Sequence, residues 1–153
     1  MQEKGLDARI AAGGGGDDEA KARALFNLGT SLKLEGRLPE ALARFEEAIP
    51  IVRRNRAERT ALEGMILTAI GDVHRVAERG EEALAAYKQA RTFFRKTLGR
   101  ECEEVGMVLY DMATVLANTG KAAEAVGLLE EALGIRRSAC GEGSSEVGDT
   151  LYL

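Results

Sequence analysis

Apolar residues in this chain return every three or four positions, and the whole pattern then returns every 42. In the first copy Leu25, Leu28 and Leu32 make one stripe and Ala41, Phe45 and Ala48 make another. At 3.6 residues per turn each set falls on one helix face, so each copy predicts two amphipathic helices. Six columns stay in register when the sequence is slid against itself. They are Leu25, Leu67, Leu109 and Leu151; Gly29, Gly71 and Ala113; Leu32, His74 and Leu116; Ala41, Ala83 and Ala125; Phe45, Tyr87 and Leu129; and Ala48, Ala90 and Ala132.

Turn signals separate the helices of each copy: Gly36-Arg37, Arg79-Gly80 and Gly120-Lys121. Pro39 suits the first turn of the helix that follows, where its missing N–H removes no bond. Small residues in the Gly29 and Ala41 columns let two backbones approach, and the Phe45 column fills the space beside them. The pattern predicts an all-α chain with repeats at about 22–59, 60–101 and 102–143. A fourth copy begins at EVGDTLYL (146–153), which repeats EVGMVLY (104–110) in register. We expect residues 145–153 to form a short capping helix on the exposed apolar end of the third repeat. We also expect the chain to be a piece of a longer array. Residues 1–19, acidic and rich in glycine, read as a mostly disordered tail, with Asp17, Asp18 and Glu19 capping the first repeat helix.

Composition narrows the function. The chain has 153 residues, 45% of them hydrophobic, only two prolines and a net charge of −4. Abundant unbranched side chains favour helix, and a net negative charge does not suit a surface for phosphate backbones, so no nucleic-acid partner is expected. No apolar run approaches the roughly 18 residues that cross a bilayer, and no leader pattern opens the chain. Cys102 and Cys140, the only cysteines, lie in no Cys or His cluster, so neither a disulfide framework nor a metal site is expected. An intracellular, cytoplasmic protein follows from this reading.

Little in the chain suggests turnover. Gly13 to Gly16 precede Asp17 and Asp18 and lack the lysine and hydroxyl of a phosphate loop, so they read as a linker. His74, the only histidine, stands in a column of leucines and reads as a ring packed between helices, not as a general base. Arg53, Arg95 and Arg137 recur at the ends of the second helices, where a cation complements the helix dipole. No catalytic residue, cofactor or metal is expected.

The order Leu, Gly/Ala, large apolar, Ala, aromatic, Ala, as in LFNLGTSLKLEGRLPEALARFEEA (25–48), resembles the tetratricopeptide repeat (TPR). The usual repeat of that family is about 34 residues; here the second helix is longer, its stripe continued by Ile51, Phe93 and Ile135. The 42-residue form, with RKTLGRECEEVGMVL and RRSACGEGSSEVGDTL as linkers, resembles the repeats of kinesin light chains and nephrocystin-3-like proteins, without their usual His-Pro pair. The resemblance implies a right-handed superhelix of antiparallel helix pairs. It implies a protein-interaction scaffold or adaptor that takes a peptide or helix of a partner protein on its concave face.

Carried onto this chain, the groove positions of that family are Arg23, Phe26, Asn27, Thr30 and Lys33, then Met65, Thr68, Asp72 and Arg75, then Met107, Tyr110, Asp111, Thr114 and Asn118. Asn27, Thr30, Thr114 and Asn118 suit a peptide backbone, and Phe26 and Tyr110 an apolar side chain. Chaperone-tail-binding members hold a terminal carboxylate in a clamp of cations and asparagines. Phe26, Thr30, Ala69, Met107 and Asp111 stand at those positions here, so that ligand class is not expected. The alternative function is an architectural segment of a larger assembly, with end-to-end contacts or self-association through the C-terminal repeat end.

Overall fold

The computed structural model describes residues 15–54 and 61–140, and all regular structure within them is helical. The helices are α1 (Gly15–Leu34), α2 (Leu38–Arg54), α3 (Leu62–Val76), α4 (Gly80–Thr97), α5 (Glu103–Asn118) and α6 (Ala122–Cys140). They pair α1 with α2, α3 with α4 and α5 with α6, while α2 against α3 and α4 against α5 join successive pairs. The expected capping helix at 145–153 and the first fourteen residues lie outside the described residues.

One boundary differs from the sequence reading. Helix α1 starts at Gly15, four residues before the expected end of the tail, so Gly15 and Gly16 are helical and not linker. Glycine's poor helix propensity is outweighed here by tertiary contact. Asp18 pairs with Arg54 at the far end of α2 (3.7 Å), and Ala22 one turn later is fully buried.

The turn inside each pair uses the same closure. Gly36, Glu78 and Gly120, 42 residues apart, all have left-handed backbone, with φ of 81°, 62° and 83°. The next N–H then reaches back five residues: Arg37 to Leu32, Arg79 to His74 and Lys121 to Leu116, at 2.8–2.9 Å. This is the Schellman closure, which satisfies carbonyls that the helix end leaves open. The second copy was expected to turn on Arg79-Gly80, but Glu78 takes the strained position. Gly80 opens α4, where an added Cβ would lie 3.2 Å from Thr119 Cγ2.

The small and large columns interlock as expected. A Cβ on Gly29 would fall 2.6 Å from the Phe45 ring, and one on Gly71 would fall 2.5 Å from Tyr87. Both rings are fully buried. In the third repeat the small column holds Ala113 and the large column holds Leu129, which is 40% exposed. One apolar cluster joins α1, α2 and the near side of α3, and a second joins α3 to α6 through Leu67, Tyr87, Leu109 and Ile135. Helices α3 and α5 are therefore covered on two sides.

The recurring arginines stand in the last turns of α2, α4 and α6, as the dipole reading expects, and two of them also form ion pairs. Arg53 reaches Glu63 on α3 (3.4 Å), and Arg95 reaches Glu131 on α6 (2.7 Å). Each links one repeat to the next, because the end of a second helix lies beside the following pair.

Candidate functional site

The first helices of the three pairs, α1, α3 and α5, share one face, and the fourteen groove positions lie on them. The structure separates these into a polar group, an apolar rim and a set turned inward. Lys33, Asp72, Arg75 and Asp111 form the polar group, although they stand on three helices. Asp72 is its hub. Its Oδ1 accepts a bond from Tyr87 Oη at 2.5 Å and lies 3.4 Å from Arg75 Nη2, and its Oδ2 lies 3.9 Å from Lys33 Nζ. Arg75 Nε also donates to Tyr87 Oη at 3.1 Å.

Tyr87 was placed among the packing residues by its column, and its hydroxyl was missed. The signal was present: a buried tyrosine needs a partner that Phe45 and Leu129 in the same column do not. Burial and the bond to Asp72 push the phenol's pKa well above its usual range, so it acts as a fixed donor. The bond to Tyr87 and the nearby carboxylates reinforce the Arg75 charge.

Asp111 stands apart from this network. It is half-buried, and no hydrogen-bond or ion-pair partner lies within range among the described residues. Burial, then the charge of Asp72, push its carboxyl up to about 6, against a smaller pull from Arg75 and Lys33. Met107, one turn before Asp111 on α5, and Tyr110, next to it in the chain, are 62% and 58% exposed, and Met65 on α3 is 41% exposed. Asn27 and Asn118 are exposed, as is Arg23, which pairs with Glu19 within α1 at 3.3 Å.

The inward set corrects part of the expected chemistry. Phe26 is half-buried and packs on Phe45 with ring centroids 5.9 Å apart, so it belongs to the first core more than to an open surface. Thr30, Thr68 and Thr114 bond the carbonyls of Phe26, Gly64 and Tyr110 one turn back, at 2.9–3.1 Å. Each hydroxyl proton is thus committed to its own helix, leaving only acceptor capacity for a ligand.

On another side, α2, α3 and α4 enclose an open, mostly apolar cavity of about 350 Å³ lined by Ile49, Leu67, Ile70 and His74. The His74 ring is half-buried, as the column suggested, and its Nδ1 is enclosed without a hydrogen-bond partner among the described residues. Cys102 is a free thiol, half-buried at the start of α5, with its pKa raised by burial.

The family model of the tetratricopeptide repeat matches residues 62–138, just over half the chain, and a second model of that repeat matches residues 22–47. The chain belongs to the tetratricopeptide repeat family. Solved structures share its fold, an all-α helical repeat of paired helices. BtubC (BKLC) from P. vanneervenii is 20% identical with a TM-score of 0.71, covering 95% of this chain, and this chain spans 62% of that one. A putative kinesin light chain from Podosopora anserina with nearly identical TPR-like repeats is 17% identical with a TM-score of 0.69, covering 93% of this chain and 66% of that one. The N-terminal domain of stress-induced protein-1 (STI-1) from C. elegans is 15% identical with a TM-score of 0.66, covering 87% and 95%. No curated protein sequence matches the chain. TPR repeats build protein-interaction scaffolds, and this chain resembles the kinesin-light-chain form of the repeat. No helix among the described residues is long and apolar enough to cross a membrane.

Proposed function

We propose that this TPR chain is a non-enzymatic scaffold or adaptor that binds an extended or helical segment of a partner protein along the face formed by α1, α3 and α5. One observation carries the reading. Met65, Met107 and Tyr110 are exposed on helices whose other sides are packed, beside the polar side chains of Asn27, Asp111 and Asn118. Apolar side chains among hydrogen-bonding groups are what a peptide-binding surface needs, and stacked repeats present such a face as a concave strip. A cytoplasmic location belongs to the same reading, supported by the free thiol of Cys102. The test is to identify bound proteins by affinity capture and mass spectrometry, then repeat the capture with Asn27→Ala, Met107→Ser and Asn118→Ala combined. Loss of a directly binding partner supports the reading; retention of every partner defeats it.

A second reading rests on a separate observation. Leu42 and Leu84 are part-covered by neighbouring helices, yet Val126 in the same column is 52% exposed, and Leu129 is 40% exposed where Phe45 and Tyr87 are fully buried. The third pair thus shows a surface that a further helix covers in the other two, which suits an architectural segment with end-to-end contacts. Sedimentation equilibrium distinguishes the two. Reversible association abolished by Val126→Ser with Leu129→Ser supports the second reading, and a monomer at high concentration removes it.

A further inference from the structure

Two carboxylates face the shared surface of α1, α3 and α5, and the structure treats them differently. Asp72 is satisfied from within: Tyr87 at 2.5 Å, Arg75 at 3.4 Å and Lys33 at 3.9 Å occupy its oxygens. Those two cations are thereby committed, and Arg75 is held further by Tyr87 at 3.1 Å. Asp111 has no such donor among the described residues, although it is half-buried and close enough to Asp72 to feel its charge. A partly buried carboxylate without a donor loses hydration, and the pull of Arg75 and Lys33 offsets only part of that loss. Its surroundings are a ready complement: Met107 and Tyr110 precede it by four residues and by one on α5, both largely exposed.

We propose that Asp111 anchors a basic side chain, arginine or lysine, of the bound partner segment, with the stem of that side chain and its apolar neighbours lying on Met107, Tyr110 and Met65. This inference rests on the peptide-binding reading of the same face. An arginine fits best, because its planar fork matches a carboxylate with two bonds while its stem covers apolar surface. A tyrosine ring beside the anchor adds attraction for a cation over its face. An acidic segment meets the opposite situation, since Lys33 and Arg75 are engaged and Asp111 repels it. The partner is thus a segment with a basic residue among apolar ones, not an acidic peptide.

The test starts from a displayed library of random peptides selected on the folded protein. Enriched peptides are made with both ends capped, so that only side-chain charge is read. We expect them to carry arginine or lysine. Replacing arginine by its neutral isostere citrulline should weaken binding about tenfold or more, Asp111→Asn should weaken it equally, and the two losses should not add. Binding should also weaken as pH falls from 7.5 to 5.5 in the parent protein and not in Asp111→Asn. Circular dichroism checks that Asp111→Asn keeps the fold. Peptides lost with Met107→Ser and Tyr110→Ser but indifferent to Asp111→Asn overturn this inference and spare the groove. Peptides indifferent to both sets, or no enrichment at all, overturn both.

Discussion

Glu78 illustrates how one residue carries a local cost for the register of the whole repeat. It holds φ of 62° at the helix end where Gly36 and Gly120 hold the same conformation without a side chain. A left-handed backbone costs an L-residue about 1 kcal/mol relative to glycine. Glu78→Gly is therefore expected to stabilise the fold by about 0.5–1 kcal/mol in urea denaturation, although glycine ordinarily weakens a chain. Asp111 carries a cost of another kind. Its carboxyl ionises near 6 in the folded chain and near 3.8 when unfolded. Between those values the folded state holds the extra proton, so stability falls as pH rises from about 4 to 6 and the penalty is complete above 6. Asp72 adds to the penalty, and Arg75 and Lys33 relieve part of it. Asp111→Asn should then gain on the order of 1 kcal/mol at pH 7.5, after allowance for solvent screening, and nothing below pH 4. Denaturation of both proteins across that pH range measures the difference.

At the scale of elements, α2 shows packing overriding a local rule. Pro50 lies inside it, exposed, between Ile49 and Ile51, which both pack on the first core. Proline removes a backbone bond and crowds the preceding turn, at about 3 kcal/mol relative to alanine within a helix. The helix continues to Arg54 because Ile51 and Val52 are held from outside it. Pro50→Ala should raise stability by about 1–3 kcal/mol, read as a higher denaturation midpoint with an unchanged slope. Helix α1 makes the same point at its start. Glycine and acid suggested a tail, yet contact with α2 carried the helix back to Gly15.

At the scale of the whole molecule, burial differs sharply between the two helices of the last pair. Leu109 is fully buried within the second cluster, with helices on both sides of α5. Leu129, on α6 of the same pair, is 40% exposed. Leu109→Ala should cost about 2–5 kcal/mol, since it empties a site that neighbours cannot readily collapse upon. Leu129→Ala should cost under about 1 kcal/mol, as at a surface position. Equal losses in thermal unfolding would show that Leu129 contributes as much to stability as a fully buried leucine.

The sequence by itself determined the helices, their pairing, the period of 42 and the interlock of Gly29 and Gly71 with rings in the next helix. These follow from local spacing and side-chain size, which a repeat states three times over. The resemblance to the family added the expectation that Lys33, Asp72, Arg75 and Asp111 share one face. Only the tertiary structure decided what they do there. Asp72 and Asp111 lie in different columns of the repeat, so no periodic signal joins them, and the donor that settles Asp72 comes from Tyr87 on a neighbouring helix. Hydrogen bonds and desolvation act over a few ångströms in space and take no account of separation along the chain. That is why one carboxylate is satisfied, the other is left open, and neither outcome is written in the period.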